Sequence, residues 1–156
     1  MIDRAVPLTR DGLKKLEEEL EQLKSTRRHA VAERIHRAKE GGHTQNDAEY
    51  DDAKNEQAFV EGRIMQLDMM VKNHVLIDEE KAHHSKSVRL GCTVVVESAN
   101  GPRQYTIVGS AEADPATGRI SNESPVGKAL IGRRVGDKVQ VLTPKGPTTF
   151  KVAEIR

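Results

Sequence analysis

Apolar residues recur at gaps of three and four along the first forty positions: Leu13, Leu16, Leu20 and Leu23, then, past an interruption at Arg27, Ala30, Arg34/Ile35 and Ala38. That spacing marks one face of an α-helix, and sustained over several turns it makes a heptad seam. Lys14, Glu17, Glu18, Glu21 and Lys24 fill the positions between and give a solvated face. Thr9 stands where an N-cap belongs, with Asp11 suited to the positive end of the helix dipole. Gly41-Gly42 stops the run. A second run starts at Asn46 or Asp47, and its seam reads Tyr50, Ala53, Gln57, Val60, Ile64, Leu67 and Val71. Asp47, Glu49, Asp51 and Asp52 crowd its first turns, where the dipole favours acids. Two long helices with a short connection pair antiparallel. At roughly 28 residues each they reach about 40 Å.

Beyond this the period changes from helical to alternating. His83–Ser87 is expected to be a linker. Four β-branched stretches follow, Cys92–Glu97, Arg103–Val108, Lys138–Leu142 and Thr148–Ile155, and read as strands. Asn100-Gly101 and Pro144-Lys145-Gly146-Pro147 supply turns. Between the two pairs of strands, Ser124-Pro125 opens a short helix, Val126–Ile131, that Gly132 closes. The expected fold is therefore α+β: an N-terminal helical hairpin, residues 1–80 with its tip at about 40–49, followed by a small antiparallel sheet domain with one short helix, residues 81–156.

Composition supports two small units over one large core. The 156 residues hold no Trp and only Tyr50, Phe59, Tyr105 and Phe150 as aromatics. The net charge of +1 hides a split. Residues 1–80 carry 13 Lys and Arg against 18 Asp and Glu, a net −5; residues 81–156 carry 12 against 6, a net +6. The basic half lacks an Arg/Lys stripe interleaved with aromatics, so it points only weakly to nucleic acid. Cys92 stands alone and reads as a small buried hydrophobe, with no base beside it in sequence to make it a nucleophile. The first residues lack the apolar run of a signal peptide, and no stretch approaches a membrane span, so a cytoplasmic protein with no membrane partner is expected.

Several stretches resemble the GreA/GreB family of bacterial transcript-cleavage factors: Ala48-Glu49-Tyr50, Glu56-Gln57-Ala58-Phe59-Val60-Glu61-Gly62-Arg63-Ile64, Ser124-Pro125-Val126-Gly127-Lys128-Ala129-Leu130-Ile131-Gly132, and Thr143-Pro144-Lys145-Gly146. The similarity runs from about Leu8 to Ile155, and these stretches keep the family's order and spacing. The resemblance implies a coiled-coil hairpin plus an FKBP-like sheet domain, acting as a monomer on bacterial RNA polymerase. The sheet domain would dock beside the polymerase's secondary channel through Glu123, Ser124 and Pro125. The hairpin would enter the channel, and its tip would reach the nascent RNA 3′ end in backtracked complexes. Lys39 and Lys54, extended by Arg34 and Arg37, fall where the family keeps a basic patch against that RNA.

The family is not expected to be an enzyme in its own right. It binds no cofactor alone and acts with the Mg²⁺ of the polymerase, for which tip carboxylates are suitable hard oxygen ligands. Here the sequence departs from its relatives. Aligned on Ala48-Glu49-Tyr50, the family's Asp position holds His43 and its Glu position holds Asn46. Asp47 is the nearest replacement carboxylate, with a first-turn role at the helix dipole as its other reading. Glu49 reads as a surface or hairpin contact, and His43 either as an inert loop residue or as a pH sensor. A second functional reading is a channel-binding modulator that does not stimulate cleavage. Relatives that inhibit by occupying the channel carry extra tip acids, which this chain also lacks. Two remote readings are an FKBP-like isomerase or chaperone, for which only Tyr105 and Phe150 could line a pocket, and a dimeric coiled-coil adaptor.

Overall fold

The structure is a computed structural model that describes residues 5–40 and 47–156. The chain divides into two compact units. One is Leu13–Asn73; the other joins the segment ending at Gly12 to His74–Arg156.

The Leu13–Asn73 unit is a helical hairpin. Helix α1, Arg10–Gln22, enters it and continues through a π-helical turn, Leu23–Arg27, into α2, Arg28–Glu40. Helix α3, Asp47–Lys72, returns. On α3 the expected seam is the observed one: Ala53, Val60, Ile64 and Leu67 are buried, and Tyr50, Gln57 and Val71 are half-buried. On the outgoing arm of the hairpin the seam departs at one point. Ala30 is exposed and Val31 is buried, followed by Ile35 and Ala38. A π turn holds one more residue than an α turn. The extra residue moves the stripe from the 27–30–34 register to 31–35–38, which also accounts for the apparent interruption at Arg27. Val31, Ile35, Ala53, Val60 and Ile64 make the buried strip, with Leu20, Leu23 and Tyr50 against it. Full burial of such a side chain stabilises by about 1.5–3 kcal/mol.

Outside the strip, ion pairs bridge the two arms. Arg28 makes a bidentate pair with Glu61 at 2.8 and 2.9 Å. Arg63 does the same with Glu19 at 2.8 and 3.1 Å. Lys24 meets Asp68 at 3.3 Å, and Glu56 takes both Arg27, at 2.9 Å, and Arg34.

The other unit is built on a five-stranded sheet in the order β5-β4-β3-β7-β6, with β3 Thr93–Ser98, β4 Gly101–Val108, β5 Arg119–Ser121, β6 Lys138–Thr143 and β7 Gly146–Ile155. The β3–β4, β3–β7 and β6–β7 pairs are antiparallel, as expected. The unforeseen β5 adds to β4 in parallel; three residues carry too little alternation to be read as a strand. A six-residue helix, α5, Pro125–Leu130, lies within the unit, and its Leu130 joins Val94, Val96, Ile107, Val139, Val141, Phe150 and Val152 in one apolar core.

This unit also recruits chain on the N-terminal side of residue 81, which the sequence assigned to the hairpin. Strand β1, Val6–Leu8, pairs in parallel with β2, His74–Leu76. Leu8 is fully buried. The 83–87 segment, expected as a linker, is folded in as well. It leaves the short helix α4, Glu79–His83, between core residues Ala82 and Val88, and Ser87 bridges to Arg134. The recruited segment includes the root of α1. Thr9 Oγ1 accepts from Gly12 N at 3.0 Å, the expected cap. Thr9 N and Oγ1 in turn donate to the Glu112 carboxylate at 2.7 and 2.6 Å, and Arg119 Nη2 donates to it at 2.8 Å.

Candidate functional site

The site residues expected from sequence that lie among the described residues fall in two sets, one in each unit. In the hairpin, the expected residues lie near the end of α2 and the start of α3. Lys39 lies in the last turn of α2. Lys54 lies near the start of α3, and its Nζ donates to Gln57 Oε1 at 2.8 Å. Among the described residues neither lysine is in an ion pair. Glu40, next to Lys39, meets His36 Nε2 at 3.0 Å. The two arginines differ from the lysines. Arg34 is held by Glu56 across the hairpin, and Arg37 meets Glu33 at 3.4 Å along its own helix. Arg34, Arg37, Ala38 and Glu49 line a groove of about 350 Å³, so Glu49 sits on a hairpin surface, as expected. Of these four cations, Lys39 and Lys54 are outside any ion pair among the described residues, and Arg34 and Arg37 are paired within the hairpin.

The tip positions His43 and Asn46 lie outside the described residues. Asp47 is the first residue of α3. Among the described residues no group of three or more His, Cys, Asp and Glu is arranged to hold a metal ion.

In the sheet unit, Glu123, Ser124 and Pro125 form the corner into α5. Ser124 is the N-cap: its Oγ accepts from Gly127 N at 3.1 Å and donates to Ser121 O at 2.6 Å. The fit is close, since a Cβ on Gly127 would stand 2.0 Å from Ser121 O. Glu123 accepts at Oε2 from Ser110 Oγ at 2.9 Å, and its backbone N donates to Ser121 Oγ at 3.0 Å. The Ser124 hydroxyl is therefore spent on the fold. Pro125 and the Glu123 side chain are exposed, and these two present the corner to solvent.

Sequence reasoning underrated two features. Glu112 carried no motif, yet it fixes the root of α1; its only signal was an acid near a predicted cap, and that nearness exists only in the fold. Tyr105 and Phe150 were too few to suggest a pocket, but the sheet brings them edge to face, with centroids 6.3 Å apart at 83°. They line a groove of about 510 Å³ with Val126. Cys92 is buried as expected, its Sγ 3.1 Å from Ala82 O.

Charge in the hairpin is tuned by its ion pairs. The Glu61 hydrogen bond raises the Arg28 pKa, and the same bond lowers that of Glu61. The Glu19 hydrogen bond raises that of Arg63. No helix among the described residues is long and apolar enough to cross a membrane.

Comparison with known proteins finds a match in each half of the chain. Residues 6–75 match the family described as transcription elongation factor, N-terminal, and residues 82–156 match transcription elongation factor, GreA/GreB, C-term. The chain is 54% identical over 157 residues to transcription elongation factor GreA of Thermoanaerobacter pseudethanolicus, covering 99% of each chain. It is 51% identical over 156 residues to the GreA of Acetivibrio thermocellus, covering 99% of this chain and 98% of that one. Among solved structures, GreA factor homolog 1 of Thermus thermophilus is 32% identical, with 98% and 99% of the two chains covered and a TM-score of 0.47. With both units matched in order and half of all positions identical to curated relatives, the protein belongs to the GreA/GreB family of transcription elongation factors.

Proposed function

We propose that the chain is an accessory factor of bacterial RNA polymerase that docks by its sheet unit and sends its hairpin into the secondary channel to act on backtracked or paused complexes. The observation that supports this most is the end-to-end identity with relatives named transcription elongation factor GreA. The hairpin suits the task physically. A thin helical pair with a narrow buried strip and charged outer faces can enter a channel without unfolding. In this reading Lys39 and Lys54 attract the phosphates of the displaced RNA 3′ end, since only positive charge in reach is needed. Glu123 and Pro125 form the exposed docking corner that Ser124 holds in shape.

The tip decides what the factor does once it is there. Carboxylates near the polymerase Mg²⁺ would supply hard anionic oxygen and help orient a water. His43 is a poor ligand for so hard an ion, and Asn46 offers one neutral carbonyl. Asp47 remains the nearest carboxylate. This substitution pattern favours a second reading, in which the factor occupies the channel and modulates synthesis while stimulating cleavage weakly.

RNA cleavage by a stalled, backtracked polymerase, with and without the protein, separates the two. The double variant His43→Asp with Asn46→Glu is expected to raise cleavage by orders of magnitude with docking unchanged, since each 1.36 kcal/mol of barrier is about tenfold in rate. Robust cleavage by the native protein that survives Asp47→Asn would sink this account of the tip. Replacing Lys39 and Lys54 together by Glu is expected to weaken crosslinking to the RNA 3′ end and to leave binding to bare polymerase intact. An equal loss of polymerase binding would assign these lysines to the protein interface instead.

A further inference from the structure

Two segments of the sheet unit that lie far apart in sequence run side by side, one after α4 and one after α5. Val88 N donates to Arg133 O and Gly132 N to Val88 O, each at 2.8 Å, and Ser87 bridges to Arg134. This pairing brings Lys86 and Arg89 on the first segment beside Arg133 and Arg134 on the second. Val88 is buried beneath, and all four cations are exposed. Lys128, exposed on α5, joins them, since Arg89, Lys128 and Ile131 line one hollow of about 310 Å³. The backbone holds this surface in place. Arg134 N donates to Asp137 Oδ2 at 2.9 Å, Asp137 N donates to Arg134 O at 3.0 Å, and Val152 N donates to Asp137 O at 2.8 Å.

None of the five cations is in an ion pair among the described residues, although this unit does pair Arg119 with Glu112 and Arg156 with Glu154. Arg133 spends one N–H, from Nε to Ala129 O at 3.3 Å. Residues 86–89 and 128–137 hold one carboxylate, Asp137, and it is turned onto the Arg134 backbone. Cations gathered without partners make the electrostatic footprint of a polyanion site. Their arrangement selects the kind of polyanion. They come from two loops and a helix, and no single element carries them as a row. Helix α5 has six residues and α4 five, too short for a recognition helix in a duplex groove. A duplex is stiff and presents its phosphates in fixed rows, whereas a flexible single strand bends them to a scattered set of cations. Residues 86–89 and 128–137 contain no aromatic on which a base could stack, so the contact is to phosphate and is independent of sequence.

We propose that this surface binds the phosphate backbone of single-stranded RNA, without sequence preference, through Lys86, Arg89, Lys128, Arg133 and Arg134. It is a second RNA contact, in the other unit from Lys39 and Lys54. The choice of RNA rests on the reading of the chain as a factor for backtracked complexes, in which the displaced RNA 3′ end is the free single strand.

The test uses the full chain alone with fluorescent oligouridine, read by anisotropy over a series of salt concentrations. Binding is expected with a Kd on the order of 10⁻⁵ M at physiological salt. The slope of log affinity against log salt is expected near −3, since about four neutralised single-strand phosphates contribute about −0.7 each. Replacing Lys86, Arg89, Arg133 and Arg134 together by Gln alters only exposed side chains. It is expected to weaken binding by about tenfold or more and to bring the slope to about −1, with the circular dichroism spectrum and the affinity for core polymerase unchanged. Unaltered RNA affinity in this variant, or no salt-dependent RNA binding by the native chain, overturns the proposal. Tighter binding of duplex DNA of equal length overturns it as well. An equal loss of polymerase affinity assigns the patch to the protein interface and overturns it too. RNA binding as expected in a chain that does not bind polymerase keeps this surface and removes the backtracking reading instead.

Discussion

Among the described residues the hairpin's buried cluster is five residues in a line, and the sheet unit's is twelve drawn from Ala82 to Val152. The hairpin adds ion pairs along both edges of its line, while three large apolar side chains of α3, Phe59, Met65 and Met69, remain exposed. A rod with so narrow a core gains little from any single contact and tolerates being mostly surface. The sheet unit concentrates its stability and can hold small features, such as the Ser124 cap, to fixed positions. The difference suits the proposed division of labour, in which one unit would reach and the other would grip.

The sharpest way to break this comparison is to remove one buried side chain from each unit. Phe150→Ala is expected to cost about 3–5 kcal/mol. Val60→Ala, in the hairpin strip, removes two methyl groups and is expected to cost about 2 kcal/mol. Denaturant unfolding followed by circular dichroism measures both. An equal or larger loss at Val60 would show that the strip is as concentrated a core as the sheet.

The π turn offers a subtler cut. If Leu23–Arg27 holds one residue in excess of the heptad, deleting exposed Ser25 should let α1 and α2 join as a continuous α-helix with Val31, Ile35 and Ala38 still on the seam. Stability is expected to stay within about 1 kcal/mol. Deleting exposed Ala32, beyond the turn, has no bulge to absorb it and swings Ile35 and Ala38 off the strip, at about 3 kcal/mol or more. Thermal unfolding of the two deletions should therefore differ. Similar losses in both would refute the one-residue excess at the π turn as the cause of the shifted seam.

That register shift shows where sequence stops informing structure. Periodicity identified every buried position of α3, because a regular helix converts spacing directly into a face. On the outgoing arm it failed at one residue, since nothing in Leu23-Lys24-Ser25-Thr26-Arg27 announces an i→i+5 bond. The same holds in the sheet unit. The four long strands and α5 were legible from alternation and turn residues, whereas β1, β2 and β5 are three residues each and exist only because a neighbour is there to pair with. Of the candidate site, the motif residues could be named from sequence. What sets Arg34 apart from Lys39 and Lys54 is a pairing across the hairpin with Glu56, and the groove of Tyr105 and Phe150 joins strands 45 positions apart (Tyr105 on β4, Phe150 on β7).

The smallest expected effect sits on the hairpin's edges and tests whether its ion pairs matter beside its strip. Arg28 holds the Glu61 carboxyl below the ordinary glutamate range through a bidentate hydrogen bond. A group whose folded pKa is depressed adds stability above its unfolded value, and that contribution is lost as pH falls through the folded value. The loss should therefore set in below the ordinary glutamate value of about 4.3. Arg28 shifts upward, so its contribution is complete across the whole neutral range and fades only in strong alkali. Both side chains are 44% exposed, and solvent screening at that exposure keeps such pairs weak. Glu61→Gln is therefore expected to lower the hairpin's melting temperature slightly at neutral pH and low salt. The native protein and the variant should then converge as pH drops below about 4, and also at high salt, where screening shortens the reach of charge. A deficit that persists at low pH would mean that Glu61 acts through packing of its stem and not through its charge. A deficit at neutral pH as large as that of Val60→Ala would mean that the edges, and not the buried line, hold the two arms together.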